Sequence, residues 1–379
     1  MKVKCSLILA LLFFVLLAPA PVAWAQQPTV SAYSAILISA DDGSVLYEHN
    51  AREPLAMAST TKIMTALLAL EEAERAGDPI IDITEEMVMV EGSSMGLQAG
   101  NRLTMTNLVS GMLLASGNDA ANAAALYLAG SQEEFAQQMN ARAAEIGMDS
   151  THFVTPSGLD DEEHYSTAYD MALLAQEALD CPEFARIAGS SVLQVEFVEP
   201  AQKVSYSNHN KLLRMYDGCV GVKTGFTKKA GRCLVSAAQR EGTTLIAVTL
   251  NAPDDWDDHM AMLDYGFETV KTVSLDGACP ENLYLVGAVQ DSVSLRAGQG
   301  VKLTLSQADA SRVTSRVLLP RFAYAPIGEG ERLGQVQYLL DGQEIYSVPI
   351  FAGEAVEAVP APKPTGWEKF WSNLTGWFH

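Results

Sequence analysis

Cysteine and histidine are both scarce, with 5 and 6 residues in a chain of 379. Cys5 lies in an apolar N-terminal run without a lipobox setting, which speaks against lipidation. Cys181, Cys219, Cys233 and Cys279 are spaced too widely for a zinc knuckle, and no His-x-x-x-His pair supplements them. No metal and no cofactor is therefore expected. Four thiols allow three complete pairings, and spacing does not choose among them. Basic residues are also few, 25 against 46 acidic ones, for a formal charge of -21. That balance opposes a broad nucleic-acid footprint, since a phosphate backbone calls for a basic surface. A small pocket can still be locally positive. Beyond residue 25 no apolar run reaches spanning length. With 48% hydrophobic residues and this length, the chain is neither a coiled coil, a collagen nor globally disordered, and two domains are expected.

The N-terminus carries Lys2 and Lys4, the apolar run Leu7 to Ala18, then Pro19, Pro21 and Ala23-Trp24-Ala25. These match the three regions of a secretory signal, so residues 1–25 are read as a signal peptide cleaved after Ala25. The alternative is an uncleaved N-terminal anchor. Removal takes two lysines and no acids, leaving a formal charge of about -23. Export, and an extracytoplasmic location, is the expectation.

Residues 26–272 read as the first domain. Ser34 to Ile38 and Ser44 to Tyr47 are strand-like around the turn Asp41-Asp42-Gly43. Ala58-Ser59-Thr60-Thr61 opens a helical run that ends before Gly77, and Leu103 to Leu114 gives a second helical pattern. Asp119 to Leu128 reads as a core helix, and Glu133 to Ile146 as another stopped by Gly147. Thr167-Ala168-Tyr169-Asp170 fits a capping box. Beyond Val220 the period switches to strands over Gly221 to Thr224, Cys233 to Ala238 and Leu245 to Leu250, before a helical pattern over Met260 to Phe267. Strands at both ends and a mostly helical middle predict an α/β (α+β) fold, with one sheet gathering the chain ends and helices packed on it.

Residues 273–359 read as a small all-β domain, with short strands such as Leu283 to Val286, Val301 to Leu305 and Val336 to Leu340. Pro360, Pro362 and Pro364 suggest a stiff linker. In 360–379, Trp367, Phe370, Trp371, Leu374, Trp377 and Phe378 form one helical stripe, an amphipathic helix suited to lying in a membrane interface. The alternative is a tail helix docked on the protein's own surface. Lys369 is the one basic residue of the helix, so apolar burial rather than attraction to anionic lipid would drive binding.

Three short motifs follow in order: Ser59-x-x-Lys62, Ser116-Gly117-Asn118 and Lys223-Thr224-Gly225. Singly, each has a plain reading. Ser59 could cap a helix, Lys62 could be a solvated first-turn residue, Ser116 and Asn118 could close a helix, and Lys223 could be an exposed strand lysine. As a set their contexts agree. One helical turn brings Lys62 to the side of Ser59, Ser116 and Asn118 sit where a helix meets a loop, and residues 223 and 225 share a strand face. The ordered trio is the signature pattern of penicillin-binding proteins and class A β-lactamases.

The likeness extends further. Ala58 to Ala66, Leu114 to Ala121, His164 to Asp170 and Val222 to Thr227 each resemble segments of the D-alanyl-D-alanine carboxypeptidases, the low-molecular-mass penicillin-binding proteins. The resemblance covers about Ser31 to Thr269 and implies a β-lactamase/transpeptidase-like catalytic domain. It implies Ser59 as nucleophile, Lys62 as base, Ser116 as proton relay and Asn118 as a holder of the substrate's amide and of Lys62. Lys223 and Thr224 would meet the substrate's terminal carboxylate, and the backbone N–H groups of Ser59 and Phe226 would form the oxyanion hole. Gly225 has a physical reason too, since a side chain there would obstruct a substrate along the strand edge. Lys62 can act as base if burial and the neighbouring Lys223 lower its pKa.

The implied partners are peptidoglycan stem peptides, with β-lactams as covalent inhibitors, and the membrane surface through the C-terminal helix, on the outer face of the cytoplasmic membrane. Nucleic acid is not among them. In some relatives an additional arginine holds the carboxylate, but here that region reads Asp254-Asp255-Trp256-Asp257-Asp258-His259. A β-lactamase of the same fold is one alternative, although Glu162-Glu163 lacks the Glu-x-x-Asn arrangement expected of a class A deacylating glutamate. A non-catalytic peptidoglycan- or β-lactam-binding protein is another. His209 reads as a surface or supporting histidine, and Asp170 as a cap.

Overall fold

The computed structural model describes residues 26–360. The leader read over 1–25 and the amphipathic tail helix lie outside the described residues. Within them the chain forms two compact units. One takes in residues up to 37 with 45–238 and 246–269, and the other 38–44, 239–245 and the chain from 270 onward.

In chain order the strands of the first part are β1 (Ser34–Ser39), β2 (Val45–His49), β3 (Ile80–Asp82), β4 (Arg102–Thr104), β5 (Val192–Glu199), β6 (Gln202–Ser207), β7 (Cys219–Thr227), β8 (Gly231–Arg240) and β9 (Thr243–Leu250). Five of them form one sheet in the order β2-β1-β9-β8-β7. The first and last strands of the fold therefore lie side by side, as the sequence pattern predicts. Every residue of β1 is buried, as expected of an interior strand covered on both faces. β7 stands at the edge, paired antiparallel with β8 on one side alone.

The helices begin and end where side-chain chemistry directs. Helix Lys62–Ala76 ends on left-handed Gly77 and helix Gln132–Ile146 on left-handed Gly147, both as the sequence predicts. The pattern read as helical from Leu103 starts later. Thr104 caps the helix through the N–H of Asn107, and Arg102–Thr104 is strand β4, so the helix spans Met105–Leu114. Helix Asn118–Ala129 is alanine-rich, and its residues 118–125 are all buried.

Asp170 does not complete a capping box. Thr167 caps helix Ala168–Asp180 by accepting from Asp170 N, while the Asp170 carboxylate takes Ser150 N at 2.9 Å and Thr151 Oγ1 at 2.7 Å. A second sheet of order β3-β4-β5-β6 has no counterpart in the sequence reading.

The second part holds β10 (Val270–Leu275), β11 (Asn282–Val286), β12 (Ser292–Ala297), β13 (Val301–Ser306), β14 (Val313–Leu318), β15 (Ala323–Tyr324), β16 (Arg332–Leu340) and β17 (Gln343–Ala352). Six strands pair in the order β14-β16-β17-β12-β11-β15, and β10 pairs with β13. Alternation sends Leu283 and Leu285 into one core with Val293, Ile327, Ala352 and Val356. Leu275, Val336, Tyr338, Val348 and Ile350 form the other. Among the described residues the four cysteines are unpaired, and no helix is long and apolar enough to cross a membrane.

Candidate active site

Ala58–Thr61 forms a single 3-10 turn that runs directly into helix Lys62–Ala76. Ser59 does not cap that helix. The flanking Thr61 supplies no side-chain cap either, so the Ser59 hydroxyl is left for another partner. That partner is Lys62 Nζ, which lies 2.9 Å from Ser59 Oγ and donates its second bond, 2.6 Å, to the carbonyl of Ser157. Lys62 is completely buried. Burial and then the charge of Lys223 hold its ammonium well below the ordinary lysine range, with Asp119 opposing.

The turn is held from outside by residues 154–158, which the sequence reading passed over, together with His164. Gly158 adopts φ +80°, and a Cβ there would sit 1.9 Å from Ala58 O. Thr65 Oγ1 donates to Pro156 O at 2.6 Å. His164 accepts at Nδ1 from Val154 N (2.9 Å), which places its proton on Nε2, facing Thr61 Oγ1 at 2.8 Å. Thr61 in turn donates to Ala58 O at 2.9 Å. Burial pushes His164 down to about 4, so it is a neutral strut at physiological pH. Ala58 itself has φ +49°, a costly conformation for a residue with a Cβ, sustained by these contacts.

Ser116 is the other non-glycine residue of the site with positive φ, +57°, and it is buried. Its Oγ accepts from Lys223 Nζ at 3.0 Å, while Lys223 also donates to Thr224 O at 2.7 Å. Burial lowers Lys223 to about 7. Asn118 is anchored, with its N–H on Ser93 O and its Nδ2 on Glu91 O, both at 2.7 Å. Its Oδ1 is buried with no partner among the described residues, and Lys62 Nζ turns to Ser59 and Ser157 instead.

Next in sequence, Asp119 organises the loop 94–97 that follows the cleft residue Ser93. Its carboxylate takes the N–H groups of Met95, Gly96 and Leu97 and the hydroxyl of Ser94, at 2.6–3.1 Å. Sequence reasoning missed Asp119 because one aspartate in a helix's first turn looks like an ordinary dipole partner.

On edge strand β7, Gly225 has a further reason beside the one the sequence suggests. An added Cβ would meet Met57 O and Ser59 N at 3.0 Å and Thr60 N at 3.1 Å, so the strand presses against the nucleophile turn itself. Phe226 follows, 65% exposed. Ser59, Ser116, Thr224, Gly225 and Phe226 all line one cleft of about 590 Å³.

His209, Lys211, Arg214, Arg232 and Trp256 complete much of the cleft wall. Arg232 is committed to Asp255 through bonds of 2.7–2.9 Å, which leaves Lys211 and Arg214 as the cations facing the cavity. His209 is therefore a cleft residue, lowered by burial and then by Lys223. Glu162 and Glu163 are exposed and lie outside the cleft lining, away from where a deacylating glutamate would be needed.

Comparison with known proteins agrees with this geometry. The D-alanyl-D-alanine carboxypeptidase family model matches residues 22–254, and the C-terminal domain of penicillin-binding protein 5 matches 267–358. D-alanyl-D-alanine carboxypeptidase DacF of Bacillus subtilis is 33% identical over 91% of this chain and 92% of its own length. DacC of Escherichia coli is 33% identical over 89% and 88%. Penicillin binding protein 5 from Haemophilus influenzae superposes with a TM-score of 0.68 at 27% identity, covering 88% of this chain and 99% of that one. With a serine, two buried lysines and an edge strand converging on one cleft, the chain belongs to the D-alanyl-D-alanine carboxypeptidase family of penicillin-binding serine peptidases.

Proposed function

We propose that this enzyme removes the terminal D-alanine from peptidoglycan stem peptides through an acyl-enzyme on Ser59. The observation that carries the assignment is the 2.9 Å contact between Ser59 Oγ and a fully buried Lys62 Nζ. Burial and the nearby Lys223 favour the neutral amine, the form that can accept a proton. The contact then runs in reverse, the hydroxyl donating to the lysine lone pair. As Oγ attacks the carbonyl of the penultimate D-alanine, Lys62 takes the hydroxyl proton and the carbonyl oxygen becomes an oxyanion. The backbone N–H groups of Ser59 and Phe226 receive it, each worth about 3 kcal/mol.

Collapse breaks the C–N bond, and the departing amine takes the proton that Lys62 accepted, relayed by Ser116 and Lys223, so that Lys62 is neutral again. With a pKa near 7, Lys223 can both give and accept a proton at neutral pH. Water then attacks the ester, Lys62 takes its proton and passes it to Ser59 Oγ as the C–O bond breaks, which regenerates both residues. A β-lactam acylates Ser59 in the same way.

Edge strand β7 offers unpaired backbone groups to an extended peptide. Asn118 Oδ1 is the acceptor for a substrate N–H. Thr224 with Lys211 and Arg214 supplies the positive wall for the terminal carboxylate, in place of an arginine within 254–259. The enzyme works outside the cytoplasm, with residues 366–379 holding it to the outer face of the cytoplasmic membrane.

The test is mass spectrometry of the mature protein incubated with a penicillin and, separately, with a peptide ending in D-Ala-D-Ala. A covalent adduct on Ser59, absent in Ser59→Ala, together with release of one D-alanine, is expected. Rapid penicillin hydrolysis with the peptide untouched would reassign it as a β-lactamase, and neither adduct nor product would return it to the binding class.

A further inference from the structure

The second unit carries an apolar surface that the catalytic reaction does not use. On β11, Leu283 and Leu285 point into the core, so Tyr284 and Val286 point out, and Tyr284 is 57% exposed. Val286 is the direct partner of Tyr324 on β15, the last strand of the six-stranded sheet. Tyr324 is 69% exposed and packs edge to face on exposed Phe322, ring centroids 5.4 Å apart. Three aromatic rings and a valine thus stand together at a sheet edge, where a solvated strand ordinarily shows charge.

What meets this patch is indicated by where the described chain ends. Ala358 bridges to Ala288, and Val359 N donates to Gly287 O at 2.8 Å, just past the end of β11. The exposed Val289 and Val359 extend the apolar surface to that exit. The remaining sequence, 361–379, therefore starts at the rim of the patch. That sequence is the one read above as membrane-associating, so its point of attachment to the second unit lies beside the patch. An exposed aromatic patch beside the attachment point of such a segment suits the same flat apolar partner.

We propose that Tyr284, Val286, Phe322 and Tyr324 form a second membrane contact, inserting shallowly into the lipid interface beside the C-terminal helix and fixing how the second unit stands on the membrane. Tyrosine and phenylalanine suit that depth, where a ring is buried and a hydroxyl stays wet. The acidic balance of the chain, 46 acidic against 25 basic residues, makes the contact one of apolar burial rather than attraction to anionic lipid. The proposal rests on the membrane reading of residues 366–379.

The test is partitioning of the full mature chain onto vesicles of phosphatidylcholine alone and of phosphatidylcholine with phosphatidylglycerol. It compares wild type, Tyr284→Ser/Phe322→Ser/Tyr324→Ser, the milder Tyr324→Ser, and a chain lacking 366–379. Penicillin acylation and circular dichroism report folding. The triple variant should bind about tenfold more weakly and Tyr324→Ser about threefold, on both vesicle types and with little salt dependence. Wild-type binding by both variants overturns the proposal, and tighter binding by the triple variant overturns it in favour of a tail that docks on the patch. A change of oligomeric state with unchanged vesicle binding overturns it in favour of a second copy. Unchanged binding by the truncated chain refutes the tail reading separately. If the triple variant still lowers binding in that case, the patch contact stands without the tail.

Discussion

Replacing Gly158 by alanine is the most direct way to ask whether the nucleophile turn is positioned from behind. Gly158 has φ +80°, and a Cβ there would lie 1.9 Å from Ala58 O, 2.5 Å from Ala58 C and 2.7 Å from Thr61 Oγ1. Restoring ordinary contact requires a movement of about 1 Å in the peptide immediately before Ser59. Left-handed strain costs an alanine about 1–2 kcal/mol and overpacking about 1–3 kcal/mol more, so stability should fall by about 2–5 kcal/mol. A misplacement of that size at a nucleophile costs roughly 100-fold in rate, because Ser59 Oγ leaves the reach of Lys62. Gly147→Ala is the control. It has φ +87° and nothing within 4 Å of a new Cβ, so it should lose about 1–2 kcal/mol and acylate normally. The assays are the rate of penicillin acylation followed by mass spectrometry, and thermal melts by circular dichroism. Acylation of Gly158→Ala within twofold of wild type, or equal slowing in Gly147→Ala, would refute the reasoning.

Lys62→Ala should lower acylation at least 1,000-fold while leaving circular dichroism unchanged, and near-normal labelling would remove lysine from the base role. In the wild type the acylation rate should climb with pH as Lys62 loses its proton, because the reactive amine is the neutral one. Its acid limb should lie well below the ordinary lysine pKa and move in Lys223→Ala, which removes the neighbouring charge. His164 is held near 4 against 6.5 unfolded, so the unfolded chain binds the extra proton between those values. Its contribution is complete above pH 6.5 and is lost as pH falls through 4. His164→Phe should accordingly show a shallower loss of Tm between pH 7 and pH 4.5, and an unchanged slope would count against the assignment. Asp119→Ala strips the loop 94–97 of its shared acceptor and should cost on the order of 3 kcal/mol in melts, with kcat falling too. Arg214→Ala should raise KM for a D-Ala-D-Ala peptide about tenfold with a smaller change in kcat, and an unaltered KM would move the carboxylate elsewhere in the cleft.

The second sheet was invisible in the sequence because β3 and β4 are three residues each, and β5 has few buried positions to set an alternation against the helices around it. The start of helix Met105–Leu114 was misplaced for a related reason. Arg102 and Leu103 fit a helical pattern equally well, and only pairing with β3 and β5 makes them strand. Asp170 fits the spacing of a capping box, yet its carboxylate finds stronger donors at Ser150 and Thr151, which a local pattern cannot reveal.

By itself the sequence determined the order of the three motifs, the gathering of both chain ends into one sheet, the small β-rich second part and the acidic, cysteine-poor character of the whole. Those follow from local periodicity, composition and residue identity. Only the tertiary structure decided that Gly225 also makes room for the backbone of the nucleophile turn, and that Gly158 and His164 brace that turn from a loop about a hundred residues away. It also decided that Lys211 and Arg214 face the cleft while Arg232 is held by Asp255. The physical reason is the same in each case. A side chain's partner across the fold is set by the packing of elements distant in sequence, and neither spacing nor propensity carries that distance.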